Sequence, residues 1–306
     1  MLDDMPEELI GDNQDDSKSI AVEYFRSGVE RFLEGMSELS RRDFLLSLEL
    51  DPSLVLSYCY LSSIYNEEED PDTSIELCRK GLLEDPENAH LHFCLGSSYD
   101  LKGMKKEAIQ EYLYYLNEFP EDAECVFMIA NAYDDLEDSE KSKGYYRQAI
   151  KLDPEHCKAY FNLSLLEGAA GNEKEAVCLL KRAVTIDPDY WKGWVKLGVY
   201  FSKIGNVQEA IVSYKHALQL SPDLIDVYYN LGISYKLTGQ FAEAAKSFRE
   251  VVGRNDEDVN AWHNLGVMNF QLGDTEGALQ SFRTAISLDL NHAEAHYRLS
   301  CVYITT

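Results

Sequence analysis

Residues 191–224 read WKGWVKLGVYFSKIGNVQEAIVSYKHALQLSPDL, and this stretch decides how the rest of the chain is read. Two apolar patterns at helical spacing flank Gly205. The first carries Trp194, Leu197, Gly198 and Phe201; the second carries Ala210, Tyr214 and Ala217 and stops before Pro222. Large residues in one helix face small ones in the other, so the two helices can approach closely. Proline just beyond the second helix cannot extend it and can open the next.

The pattern recurs outward from this stretch in both directions. Pro52, Pro86, Pro120, Pro154, Pro188 and Pro222 fall 34 residues apart without a slip. Glycine stands in six of the turns, at Gly35, Gly103, Gly171, Gly205, Gly239 and Gly273, where it frees a helix end to reverse direction. First helices repeat the large–Leu–small order as Tyr228-Leu231-Gly232 and Trp262-Leu265-Gly266, and second helices answer with Ala244 and Phe248, or Ala278, Phe282 and Ala285. A fixed period of this length marks a repeat array, in which a lone unit does not bury enough to fold.

The frame predicts units at 21–54, 55–88, 89–122, 123–156, 157–190, 191–224, 225–258 and 259–292, with a single capping helix at 293–306. Two units are degenerate. The turn of 55–88 reads NEEEDPD, with Glu69 in the glycine position and Cys78 and Gly81 at core positions; that of 123–156 reads DDLEDSEK, with Glu137 in the glycine position and Ser142 replacing alanine. These two read as the loosest. Residues 1–19 hold seven acids and little periodic apolar character, and read as a solvated, flexible tail.

The formal charge of −26 is uneven: residues 191–306 hold 12 acids against 10 bases, leaving −24 for residues 1–190. Such a field repels phosphate backbones and anionic lipid, so neither nucleic acid nor a membrane surface is an expected partner. The start MLDDMPEELI lacks the basic and apolar regions of a secretory signal, and a cytoplasmic location is the expectation. Seven cysteines without a C-x-x-C spacing read as reduced thiols that pack as small hydrophobes.

No phosphate-binding glycine loop, H-E-x-x-H, G-x-S-x-G or paired-cysteine zinc spacing occurs, so no enzyme, cofactor or metal is expected. His92 and His296 stand where other units carry Trp or Tyr, which favours packing over metal ligation. The constellation above background lies on the first helices. Beside the core stripe of 191–203 runs a second one, Lys192, Lys196, Val199 and Lys203, spaced for one face. Its equivalents are Lys158 and Asn162, Asp226 and Asn230, Asn260 and Asn264, and Arg298. Asparagines offer both donor and acceptor to a peptide backbone, and lysines favour carboxylates.

The period and the residues at its fixed positions resemble the tetratricopeptide repeat (TPR) over nearly the whole chain. That resemblance implies an all-α superhelical solenoid, eight helix-turn-helix repeats plus the C-terminal capping helix, whose concave groove is lined by the second stripe. It implies a non-enzymatic scaffold or adaptor that binds an extended peptide or helix of a protein partner, with acidic or carboxylate-bearing segments, through Lys158, Asn162, Lys192, Lys196, Lys203, Asn230, Asn260, Asn264 and Arg298. Two other roles fit the same surface: a chaperone or assembly factor for secreted or envelope proteins, and a regulatory or substrate-capturing subunit of an enzyme such as a glycosyltransferase. The family's clamp for chaperone tails is incomplete here, since Phe161, Val195 and Tyr229 stand where its leading lysine belongs.

Overall fold

The computed structural model describes residues 14–305, and every regular element among them is an α-helix. The contacts divide the chain after Pro154 into two compact bodies. The amino-terminal body holds four helix pairs: α1 (Gln14–Leu33) with α2 (Ser37–Leu50), α3 (Val55–Glu67) with α4 (Pro71–Glu84), α5 (Ala89–Leu101) with α6 (Lys105–Glu118), and α7 (Ala123–Asp135) with α8 (Ser139–Leu152). The carboxyl-terminal body holds four more, α9 (Cys157–Ala169) with α10 (Glu173–Ile186), α11 (Trp191–Lys203) with α12 (Val207–Leu220), α13 (Ile225–Leu237) with α14 (Phe241–Arg254), and α15 (Val259–Gln271) with α16 (Thr275–Leu288), followed by α17 (Ala293–Thr305). Within each body consecutive helices pack on one another, which makes each a stretch of helical solenoid.

Helix α1 corrects the expectation of a tail through residue 19. The helix begins at Gln14, and Asp16 falls in its first turn, where a carboxylate interacts favourably with the unpaired amide groups and positive end of the helix dipole. The rest of the expected tail, residues 1–13, lies outside the described residues.

Five of the eight pairs close by fitting a ring against a glycine sixteen positions earlier. A Cβ on Gly198 would lie 2.5 Å from the Tyr214 ring; one on Gly232 would lie 2.9 Å from Phe248, and one on Gly266 2.7 Å from Phe282. Gly28 meets Phe44 and Gly96 meets Tyr112 in the same way. In the pair α3–α4 both partners change together: Ser62 replaces the glycine, Cys78 replaces the ring, and the thiol donates to the Ser62 hydroxyl at 3.3 Å. The volume that the ring would fill is taken by a buried hydroxyl cluster, with Ser62 3.4 Å and Ser74 2.7 Å from Ser98.

A second recurring contact ties first helices to the turns before them. Trp194 Nε1 donates to the Pro188 carbonyl at 2.8 Å and Trp262 Nε1 to the Asp256 carbonyl at 2.7 Å. His92 and His296 keep this lock through Nε2, which lies 3.2 Å from the Pro86 carbonyl and 3.0 Å from that of Leu290. A carbonyl only accepts, so Nε2 is the donor in both contacts.

The degenerate turns are closed but strained. Glu69 and Glu137 both adopt φ of 59°, matching the glycines of the other turns, whose φ runs from 74° to 84°. A Cβ at any of those six glycines would meet nothing within 4 Å, so the turn demands a backbone conformation and not space. The following Asp70 and Asp138 then accept from the Thr73 and Lys141 amides and cap the second helices. Looseness is confined to the turn backbone: Leu61, Ile64, Ile129 and Tyr146 of these pairs are fully buried. Relieving a left-handed non-glycine residue is worth about 1 kcal/mol after glycine's extra unfolded-state entropy. Glu69→Gly and Glu137→Gly are each expected to stabilise the amino-terminal body by that order. Denaturant titration checks this, and a loss of stability would mean the glutamates are held by contacts that outweigh the strain.

Candidate functional site

The carboxyl-terminal body carries 18 acids and 14 bases, a net −4, against −22 for residues 1–154. Five of its nine lysines stand on first helices, three of them on α11. On α11 the core side of the helix, Leu197, Gly198 and Phe201, is buried, and the adjoining face presents Lys192, Lys196 and Lys203 to solvent with half-buried Val195 and Val199 among them. Lys158 is exposed at the matching place on α9. None of these four lysines has an ion-pair partner among the described residues. Lys192 lies over the Trp191 ring and Lys203 over the Tyr200 ring, at 5.7 and 5.2 Å from the ring centres, so their stems are guided while their charge stays available.

The polar row does not continue uniformly. Asn162 and Asn230 are half-buried and Asn260 is exposed. Asn264, expected to present its amide to a ligand, is only 7% exposed. Its Nδ2 donates to the Tyr229 hydroxyl at 3.3 Å and to the Asn260 carbonyl at 2.9 Å, and its Oδ1 accepts from Lys236 Nζ at 3.0 Å. Residues 28 and 35 positions earlier thus consume the group, and Asn264 serves as a brace between α13 and α15. Arg298 is half-buried on α17, with Nη2 3.7 Å from Glu294 Oε1.

Between α13 and α15 lies a cleft lined by Asp226, Tyr229, Asn230, Asp258 and Asn260, with Val251 of α14. Sequence reading identified Asn230 and Asn260 and noted Asp226. It missed Asp258, which lies outside the helices; its carboxylate accepts from the Ala261 amide at 2.8 Å and caps α15, so the signal was that of a helix start. Burial pushes the Tyr229 phenol above its ordinary range and nearby Asp258 adds to the shift, while the Asn264 donor opposes it.

Next along this face, His263 is 7% exposed and its Nε2 sits 3.9 Å from Glu294 Oε1, beyond hydrogen-bonding distance. Burial holds its pKa below the usual 6.5; His292, Lys236 and Arg298 act in the same direction, and Glu294 opposes them. The unfolded imidazole therefore takes a proton near pH 6.5 while the folded one resists, so stability falls as pH drops below about 6.5 towards the folded value. His263→Gln is expected to flatten this part of the pH–melting curve. An unchanged slope would assign the acid sensitivity to other groups.

Among the described residues no helix is long and apolar enough to cross a membrane.

Similarity to known proteins agrees with this architecture. No curated protein shows significant sequence similarity to the chain. Among solved structures it is similar to the C-terminal part of a TPR repeat-containing protein from Cytophaga hutchinsonii, at TM-score 0.67 and 12% identity over 79% of this chain and 99% of that one. YrrB, described as a TPR protein with an unusual peptide-binding site, superposes at TM-score 0.57 and 22% identity over 61% and 96%. A tetratricopeptide repeat protein from Parabacteroides merdae gives TM-score 0.54 and 18% identity over 81% and 98%. At these identities the likeness concerns the fold. Family models for tetratricopeptide repeats match residues 123–156 and 158–190, 199–239, and 229–295, together more than half of the chain. With helix pairs recurring at the same interval through both bodies, the chain belongs to the tetratricopeptide repeat family.

Proposed function

We propose that this protein is a non-enzymatic scaffold that binds an extended, carboxylate-bearing segment of a partner protein along the first-helix face of its carboxyl-terminal body. The observation that carries the reading is the set of exposed lysines without ion-pair partners, Lys158, Lys192, Lys196 and Lys203, interleaved with the apolar Val195 and Val199. Unneutralised cations beside apolar surface suit an acidic segment with intervening hydrophobic side chains, and the neighbouring free amides of Asn230 and Asn260 suit its backbone. That YrrB is described as having a peptide-binding site supports the same use of the fold. Seven free cysteines fit the reducing cytoplasm, where we place the protein.

The test is selection of a phage-displayed random dodecapeptide library on the full chain and on Lys192→Glu/Lys196→Glu. The wild type is expected to enrich peptides rich in Asp and Glu, and the variant to bind those peptides at least about tenfold more weakly, with stability changed by no more than about 0.5 kcal/mol as for other exposed positions. Raising salt should weaken the wild-type complex. Enrichment of acidic peptides that bind the variant equally well would place the site elsewhere.

A further inference from the structure

The cleft between α13 and α15 differs in sign from the surface one repeat earlier, and on that difference, resting on the function proposed above, we infer that the ligand carries a basic side chain at a fixed distance from its acidic ones. Lys192 and Asp226 occupy the same place in successive repeats, as do Lys196 and Asn230. The charge offered to a bound chain thus reverses over one step of the array. No basic side chain lines the cleft. Its polar groups are those a cation needs. Asp226 is exposed and has no hydrogen-bond or ion-pair partner among the described residues; Asp258 adds a second carboxylate, half-buried and tied by one oxygen to the Ala261 amide. The side-chain amides of Asn230 and Asn260 make no hydrogen bond among the described residues. The Tyr229 hydroxyl accepts from Asn264, which leaves its own proton available, and the residue lines the cleft beside its ring's edge-on contact with Phe248.

A purely acidic ligand would set its carboxylates against Asp226 and Asp258 on leaving the lysines, and like charges in apposition select against such a partner. A guanidinium fits the cleft best: its five donors meet two carboxylates and two amide oxygens, and it stacks on a phenol face, where an ammonium offers three donors from one point. The spacing follows from geometry. Packed helices lie about 8–10 Å apart and an extended chain advances about 3.3–3.6 Å per residue. The distance from the face of α11, past α13, to the cleft beyond it is then covered in about four or five residues. The inferred ligand is an extended segment with Asp or Glu at one point and Arg, or less favourably Lys, about four or five residues away, always in the same order.

The dodecapeptides selected on the wild type test this directly. They are expected to share an Arg or Lys at that distance from their acidic residues. In one such peptide, labelled with fluorescein, replacing the basic residue by Ala should weaken binding about tenfold to wild type and less than twofold to Asp226→Ala. Asp226→Lys should reject the original peptide and bind the one in which the basic residue is changed to Glu. Acidic peptides with no basic residue at constant spacing, or a basic residue whose loss matters equally in wild type and Asp226→Ala, would overturn the inference and leave the lysine site standing. Failure to select any acidic peptide would overturn both.

Discussion

Phe248→Ala is expected to cost about 3–5 kcal/mol, the range for removing a fully buried aromatic ring. Phe248 is 0% exposed. Its ring lies against Gly232 and meets Tyr229 edge-on with ring centres 5.6 Å apart. The residues around it on its own helix, Ala244 and Ala245, are already small and fully buried, so no flexible side chain stands ready to fill the space. Because repeats stabilise mainly their neighbours, the loss should be local. Amide exchange checks both claims: opening free energies in α13 and α14 should fall by the stated amount, while those of α1–α8 stay unchanged. A fall under about 1 kcal/mol, or one spread evenly over the chain, would show that the ring is not the core of a local unit.

Arg31→Met should rank next, at about 3 kcal/mol. Asp43 is 3% exposed, and its Oδ2 accepts from Arg31 Nη1 and from Ser27 Oγ, both at 2.6 Å. Removing one partner of a buried pair leaves an uncompensated carboxylate, at about 3–5 kcal/mol. The surviving Ser27 bond and the partial exposure of Arg31 place this case at the lower end. The informative variant is the double one, Arg31→Met with Asp43→Leu, which removes the charge as well and should recover most of the stability. Denaturation of the four chains of this cycle measures the coupling. If the double variant is no better than Arg31→Met, the cost lies in packing lost from the arginine stem.

What the sequence made legible here was what repeats. The period placed the turns; the exchange of large and small residues announced the close approach of the two helices, and the exposed lysines of α11 followed from counting around one helix. What it hid depended on neighbours outside the repeat being read. Asn264 occupies the same register as the half-buried Asn230, yet Tyr229 and Lys236 reach it from the preceding first helix and turn a surface amide into an internal brace. No pattern within α15 reports that. Residues 14–19 were hidden for a different reason: acids at the head of a helix and acids in a solvated tail look alike in composition, and only the continuation into Ala21 and Val22 separates them. Glu69 and Glu137 were visible as departures from glycine, but that they hold the same left-handed turn was not, since the occupant of such a turn does not reveal whether the backbone has yielded.

The sixteen-residue separation between each glycine and its ring also governs tolerance to changes in length. Adding one residue inside either helix between positions 232 and 248 turns the helical residues beyond it by about 100° about that helix's axis, carrying the ring off its glycine. The lock from Trp262 to the Asp256 carbonyl fixes the six residues of the following junction in the same manner. A pair such as Ser62 and Cys78 shows that the contents of this frame are negotiable when both ends change together. Its length is not, and the array therefore accommodates insertions only outside these two intervals, in the few positions that neither a ring nor a lock spans.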